Sequence, residues 1–131
     1  MEKANTITVN DKKYNEKDLN KKAQSLVQSL KVTNKEIQRI EDQLAIAKTA
    51  RNAYGISLNP NLPKETAANM KKDVVTINDK KYAYADMNEK ATADVMSISI
   101  VNKKIVDLEA DLAMTKTAKS FYSKLLIEEV K

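Results

Sequence analysis

The chain has 131 residues, 23 Lys and Arg against 18 Asp and Glu, a net charge of +5, and neither histidine nor cysteine. That length suits one domain or two small units. The composition excludes disulfides, thiolate or imidazole metal sites, and any histidine general base or Ser-His-Asp triad. One glycine, two prolines and 5% aromatics favour long unbroken helices in a thin body over a wide aromatic core.

The first element is a short β signal. Ile7-Thr8-Val9 alternates apolar and polar with β-branched residues, and Asn10-Asp11 follows, a pair that tolerates positive φ in a two-residue turn. Such a turn places Ile7 opposite Tyr14, so a hairpin is expected over 7–14. Two strands alone are marginal in water. The ring of Tyr14 is therefore expected to lie on the helix that follows, with its hydroxyl in water. That helix should start between Asp18 and Asn20, both good caps.

From Leu19 to Tyr54 apolar residues recur every third and fourth position: Leu19, Ala23, Leu26, Leu30, Thr33, Ile37, Ile40, Leu44, Ala47, Arg51, Tyr54. The mean spacing is that of a coiled-coil seam. A helix is expected over about 18–54, ended by Gly55. Asn59-Pro60-Asn61-Leu62-Pro63 reads as an extended linker within 59–74, in which Glu65–Met70 is compatible with a helical turn.

The scheme then repeats. Shifted by 68 residues, Ile7–Tyr54 overlies Val75–Tyr122 without a gap. Thr8-Val9-Asn10-Asp11-Lys12-Lys13-Tyr14 answers Thr76-Ile77-Asn78-Asp79-Lys80-Lys81-Tyr82, and Leu44-Ala45-Ile46-Ala47-Lys48-Thr49-Ala50 answers Leu112-Ala113-Met114-Thr115-Lys116-Thr117-Ala118. We read a tandem duplication: repeat 1 over 1–58, and repeat 2 over 75–131 with a hairpin at 75–82 and a helix over about 86–128. Asp86 with Glu89 forms a partial capping box, and Tyr82 is expected to behave as Tyr14. The second seam runs through Ile98, Ile105, Leu108 and Leu112, and Asp94 interrupts it where the first repeat has Leu26. Leu125, Leu126 and Val130 give the final turns an apolar side.

The expected fold class is mainly α. Two tandem units of hairpin plus long helix form one folded unit, with the helices paired as a coiled coil. An antiparallel pairing is favoured, because a parallel one would bring Arg51 against Lys119. A second apolar strip, Val32, Ile46, Ile100, Met114 and Phe121, falls off the seam and marks a further neighbour or partner. Val27 and Val95 also widen the stripe.

Chemistry is sparse. Glu41 with Asp42, and Glu109 with Asp111, do not share a helix face. Asn10-Asp11-Lys12 lacks the spacing and closing glutamate of a calcium loop. No catalytic, cofactor or metal residue is expected, and no enzyme. The helix-end piece Thr49-Ala50-Arg51-Asn52-Ala53-Tyr54 adds Arg51 and Tyr54 to the candidate partner surface. The mild basic excess permits nucleic acid or an acidic partner without requiring either. No apolar run is long enough for a membrane span, and the first residues lack a signal peptide's hydrophobic segment.

Ile7-Thr8-Val9-Asn10-x-Lys12-x-Tyr14, Asp18-Leu19, Gln43-Leu44-Ala45 and Thr49-Ala50-Arg51-Asn52-Ala53-Tyr54 together resemble a family of small uncharacterised bacterial and phage proteins, from cyanobacteria and their phages. The resemblance covers each repeat nearly whole, and the second departs at Lys119-Ser120-Phe121. It implies a phage gene product and no particular mechanism. The expectation is a non-enzymatic structural or assembly protein of the virion or host cytoplasm. It would act through self-association or contact with another phage or host protein, away from membranes. The alternative is a small regulator that binds a host protein or nucleic acid.

Overall fold

The computed structural model describes residues 6–66 and 72–131. The protein is mainly helical, with two long helices packed together and a small antiparallel hairpin before each. Strands β1 (Thr6–Val9) and β2 (Lys12–Asn15) form the first hairpin, and helix α1 spans Lys21–Leu58. Strands β3 (Val74–Ile77) and β4 (Lys80–Ala83) form the second, and helix α2 spans Glu89–Glu129.

Each hairpin closes on a two-residue turn with both residues at positive φ, Asn10 at 52° with Asp11 at 66°, and Asn78 at 50° with Asp79 at 65°. This turn geometry matches the twist of the flanking strands. The register pairs Ile7 with Tyr14 and Val75 with Tyr82. Alternation then sends Ile7 and Val9 of β1, and Val75 and Ile77 of β3, toward the helices.

A single 3-10 turn, Glu16–Asp18 or Tyr84–Asp86, leads from each hairpin to its helix. The helix caps lie two residues beyond these turns. The Asn20 side chain accepts a 2.8 Å hydrogen bond from the Ala23 amide, and Asn88 accepts one of 2.7 Å from Ala91. The Asp86–Glu89 capping box is therefore absent. Asp18 and Asp86 are used up in the 3-10 turns, Leu19 and Met87 are extended, and Glu89 is already the first helical residue.

Gly55 does not stop α1. It holds ordinary helical φ, and the helix continues to Leu58, which is 2% exposed. Burying Leu58 rewards the extra turn more than a glycine costs in a helix. Asn59–Asn61, expected to be extended, is a 3-10 turn carrying Pro60, and the chain becomes extended only at Leu62. Glu65 and Thr66 are not helical. The rest of the turn expected to end at Met70 lies outside the described residues.

By contacts, the chain divides into two compact units. Unit 1 holds residues 1–43 and 108–131, and unit 2 holds 44–107. Each combines a hairpin with part of both helices, so each unit draws on both sequence repeats. In unit 1 the core joins Ala23, Leu26 and Val27 of early α1 to Leu126 of late α2, under Val9, Ile7 and Tyr14. In unit 2 it joins Leu58 of late α1 to Ala91 and Val95 of early α2, under Val75 and Ile77. Start meets end in both, so the helices run antiparallel within each unit.

Candidate interaction face

Lettering the seam as positions a and d fixes the other faces of each helix. Every seam position from Leu19 to Tyr54 and from Met87 to Tyr122 is buried or half-buried except Arg51 and Lys119. In unit 1 this covers Leu19, Leu26, Leu30, Ile37, Ile40, Leu108 and Leu112; in unit 2, Leu44, Ile98 and Ile105. Ile40 is completely enclosed. Asp94 stays in the seam and is 9% exposed, because its carboxylate accepts a 2.7 Å hydrogen bond from the Ser57 hydroxyl.

One flank of the seam, positions e and b, carries the hairpins. Val27 and Val95 occupy e and are buried among hairpin residues. The opposite flank, positions g and c, carries the second apolar strip. Its five members all lie at c: Val32, Met114 and Phe121 in unit 1, Ile46 and Ile100 in unit 2. They are 60–69% exposed, so neither hairpin covers them. Position c lies far round the helix from its own seam, so these side chains gain nothing from the α1–α2 pairing.

Between the apolar residues this flank is charged with both signs. In unit 1 Arg39 forms two hydrogen bonds to Glu36, 2.6 and 3.1 Å, one turn away. These bonds hold the Glu36 carboxyl below the usual carboxylate range and raise Arg39, which also feels the negative charge of Asp111. In unit 2 Lys104 and Asp107 are exposed at g and c.

Two residues of the expected partner surface are placed elsewhere. Arg51 and Tyr54 occupy a and d, so they do not join the c row. Arg51 is exposed and donates a 3.2 Å hydrogen bond to Asn102, and Tyr54 is half-buried. Other exposed apolar residues escaped the sequence reading, among them Ile56, Met96 and Val106, at 60–67%. They stand singly at f and b, where no periodic row singles them out. The Ser57–Asp94 pair escaped as well, since nothing local in the sequence links two residues 37 apart.

Among the described residues, no group of three or more acidic side chains is arranged to hold a metal ion, and no helix is long and apolar enough to cross a membrane. Residues 1–65 match the model of a family of unknown function (DUF6447). The first repeat thus resembles an uncharacterised family. No curated protein and no solved structure matches the chain.

Proposed function

We propose that the chain is a non-enzymatic helical assembly protein that works by setting its open g/c flank against a second copy of itself. The observation that carries this reading is made in each unit by itself: Val32, Met114 and Phe121 in unit 1, and Ile46 and Ile100 in unit 2, are large apolar side chains at c, all more than half exposed, at a position that the unit's own hairpin leaves bare. Exposed large apolar residues that recur at one helix position in both units are a partner signature, whereas single ones at scattered positions are ordinary. The occupant follows from charge. In unit 1 the flank mixes Arg39 with Glu36 and Asp111, and in unit 2 Lys104 with Asp107, so in each unit it can meet its equivalent in a second copy without like-charge conflict. A strongly acidic or basic partner would not be matched by such a surface.

The repeated plan, with hairpin, 3-10 turn, asparagine cap and helix recurring 68 residues apart, supports a tandem duplication of a single-repeat ancestor. One chain then supplies what two ancestral chains supplied, and the open flank remains for the next contact. The family match covers residues 1–65; a phage gene product acting in the virion or the host cytoplasm is proposed from the resemblance read in the sequence motifs alone.

Light scattering tests the reading. The wild type should show a mass above that of one chain, rising with concentration. Ile46→Glu/Met114→Glu, which places charge on the row in both units, should return it to one chain with helicity intact. A wild type that stays monomeric at high concentration contradicts the proposal. So does a double variant that associates as the wild type does. In the latter case, salt-sensitive binding to DNA or RNA would move the reading to a nucleic-acid-binding regulator.

A further inference from the structure

Gly55, the chain's one glycine, sits inside α1 without a packing reason. A Cβ added there meets nothing within 4 Å. A glycine in a helix interior costs stability relative to alanine, and no close approach or positive φ in this structure requires one.

Gly55 instead lies at the base of a shallow, open depression of about 660 Å³ in unit 2, between the last turns of α1 and the tip of the second hairpin. Lys48 and Arg51 line it one turn apart, with Asn52, Asn59 and Asn78 around them. No carboxylate lines it among the described residues, and neither cation is paired with one there. Arg51 is steadied from the side by Asn102, which fixes its guanidinium without neutralising it.

In unit 1, Lys116 and Lys119 stand 68 residues beyond Lys48 and Arg51, but Ser120, Ser123 and Ile127 replace Asn52, Gly55 and Asn59. What unit 2 has alone is the glycine with its two helix asparagines, beside the cations that both units share.

We propose that this depression binds a small phosphate-bearing molecule. A guanidinium and an ammonium on adjacent turns suit a multiply charged oxyanion. The three asparagine amides can donate to its remaining oxygens or meet the hydroxyls of an attached group. The depression is open to solvent, with every lining residue but Gly55 exposed, so a ligand there is held by its charge and not by enclosure. The lining offers no aromatic ring on which successive bases of a nucleic-acid strand would stack. Gly55 lets the ligand reach the helix surface where a side chain would stand. This site lies on the hairpin flank and does not depend on the association proposed for the other flank.

Calorimetric titration of the full chain with inorganic pyrophosphate at low ionic strength tests the site. Saturable binding at one equivalent per chain is expected. Gly55→Leu should fold with an equal or higher thermal midpoint, because its side chain enters open space, yet bind at least tenfold more weakly. Arg51→Gln should lose affinity similarly, and Lys22→Gln, in unit 1, should not. ADP that binds tighter than pyrophosphate, or as tightly, upholds the proposal and separates a nucleotide from the phosphate group alone. No saturable pyrophosphate binding overturns it, as does a Gly55→Leu protein that binds like the wild type. A single-stranded oligonucleotide that binds far tighter than ADP and is equally sensitive to Gly55→Leu would replace the small molecule with nucleic acid.

Discussion

Unit 1 and unit 2 are built on one plan from different side chains. At positions 68 apart, buried Ala23, Val27 and Leu126 of unit 1 correspond to buried Ala91, Val95 and Leu58 of unit 2. Polar contacts correspond as well: Asn20 donates to Glu129 in unit 1, and Asn88 donates to Asn61 in unit 2. The seam partners diverge together. Unit 1 has Leu26 and Leu125 in its core, and unit 2 has Asp94 and Ser57 at the same two positions, joined by a hydrogen bond. A buried carboxylate opposite leucine would be costly. Changing both partners keeps the polar group satisfied. The plan therefore fixes where a contact falls and leaves its chemistry free, provided that both sides change.

The largest test of this equivalence is truncation of its buried leucine pair. Leu58→Ala and Leu126→Ala should each destabilise by about 2–5 kcal/mol, measured by urea denaturation. A large loss at one and none at the other would break the equivalence. Next comes the exchanged pair. Ser57→Ala should cost about 1–3 kcal/mol by leaving the Asp94 carboxylate without its donor. Asp94→Leu/Ser57→Leu, which copies unit 1, should recover that loss. If Ser57→Ala is neutral, the hydrogen bond is not what tolerates Asp94.

Smaller effects sharpen the comparison. Asn20→Ala and Asn88→Ala should each cost about 1 kcal/mol as lost helix caps, seen as matched drops in thermal midpoint. Gly55→Ala should raise stability by about 0.5–1 kcal/mol, since nothing stands in the way of its methyl group. A drop there would mean that Gly55 has a structural role after all.

Much of this was legible before any coordinates. The heptad row gives the two helices and their buried faces, because burial must follow the helical period. Asn10-Asp11 and Asn78-Asp79 give the hairpins and their register, because few other residues accept two positive φ angles in succession. The row of Val32, Ile46, Ile100, Met114 and Phe121 was legible for the same reason as the seam. Helix ends were less so. Asp18 and Asn20 are equally good caps locally, and only the 3-10 turn between hairpin and helix decides for Asn20. Gly55 reads as a stop by residue type, but the burial of distant Leu58 overrides it. The depression at Gly55 was not legible at all, because its lining joins the end of α1 to Asn78, at the tip of a hairpin that follows the linker.

The open flank is tested most directly by cysteine cross-linking, since the chain has no cysteine of its own. Met114→Cys places a thiol on the exposed row, and Glu41→Cys places one on the opposite flank. Under mild oxidation at a concentration where the wild type associates, Met114→Cys should form a disulfide-linked dimer in high yield and Glu41→Cys should stay a single chain. Equal, low cross-linking at both positions, or dimer only from Glu41→Cys, would contradict pairing through the open flank.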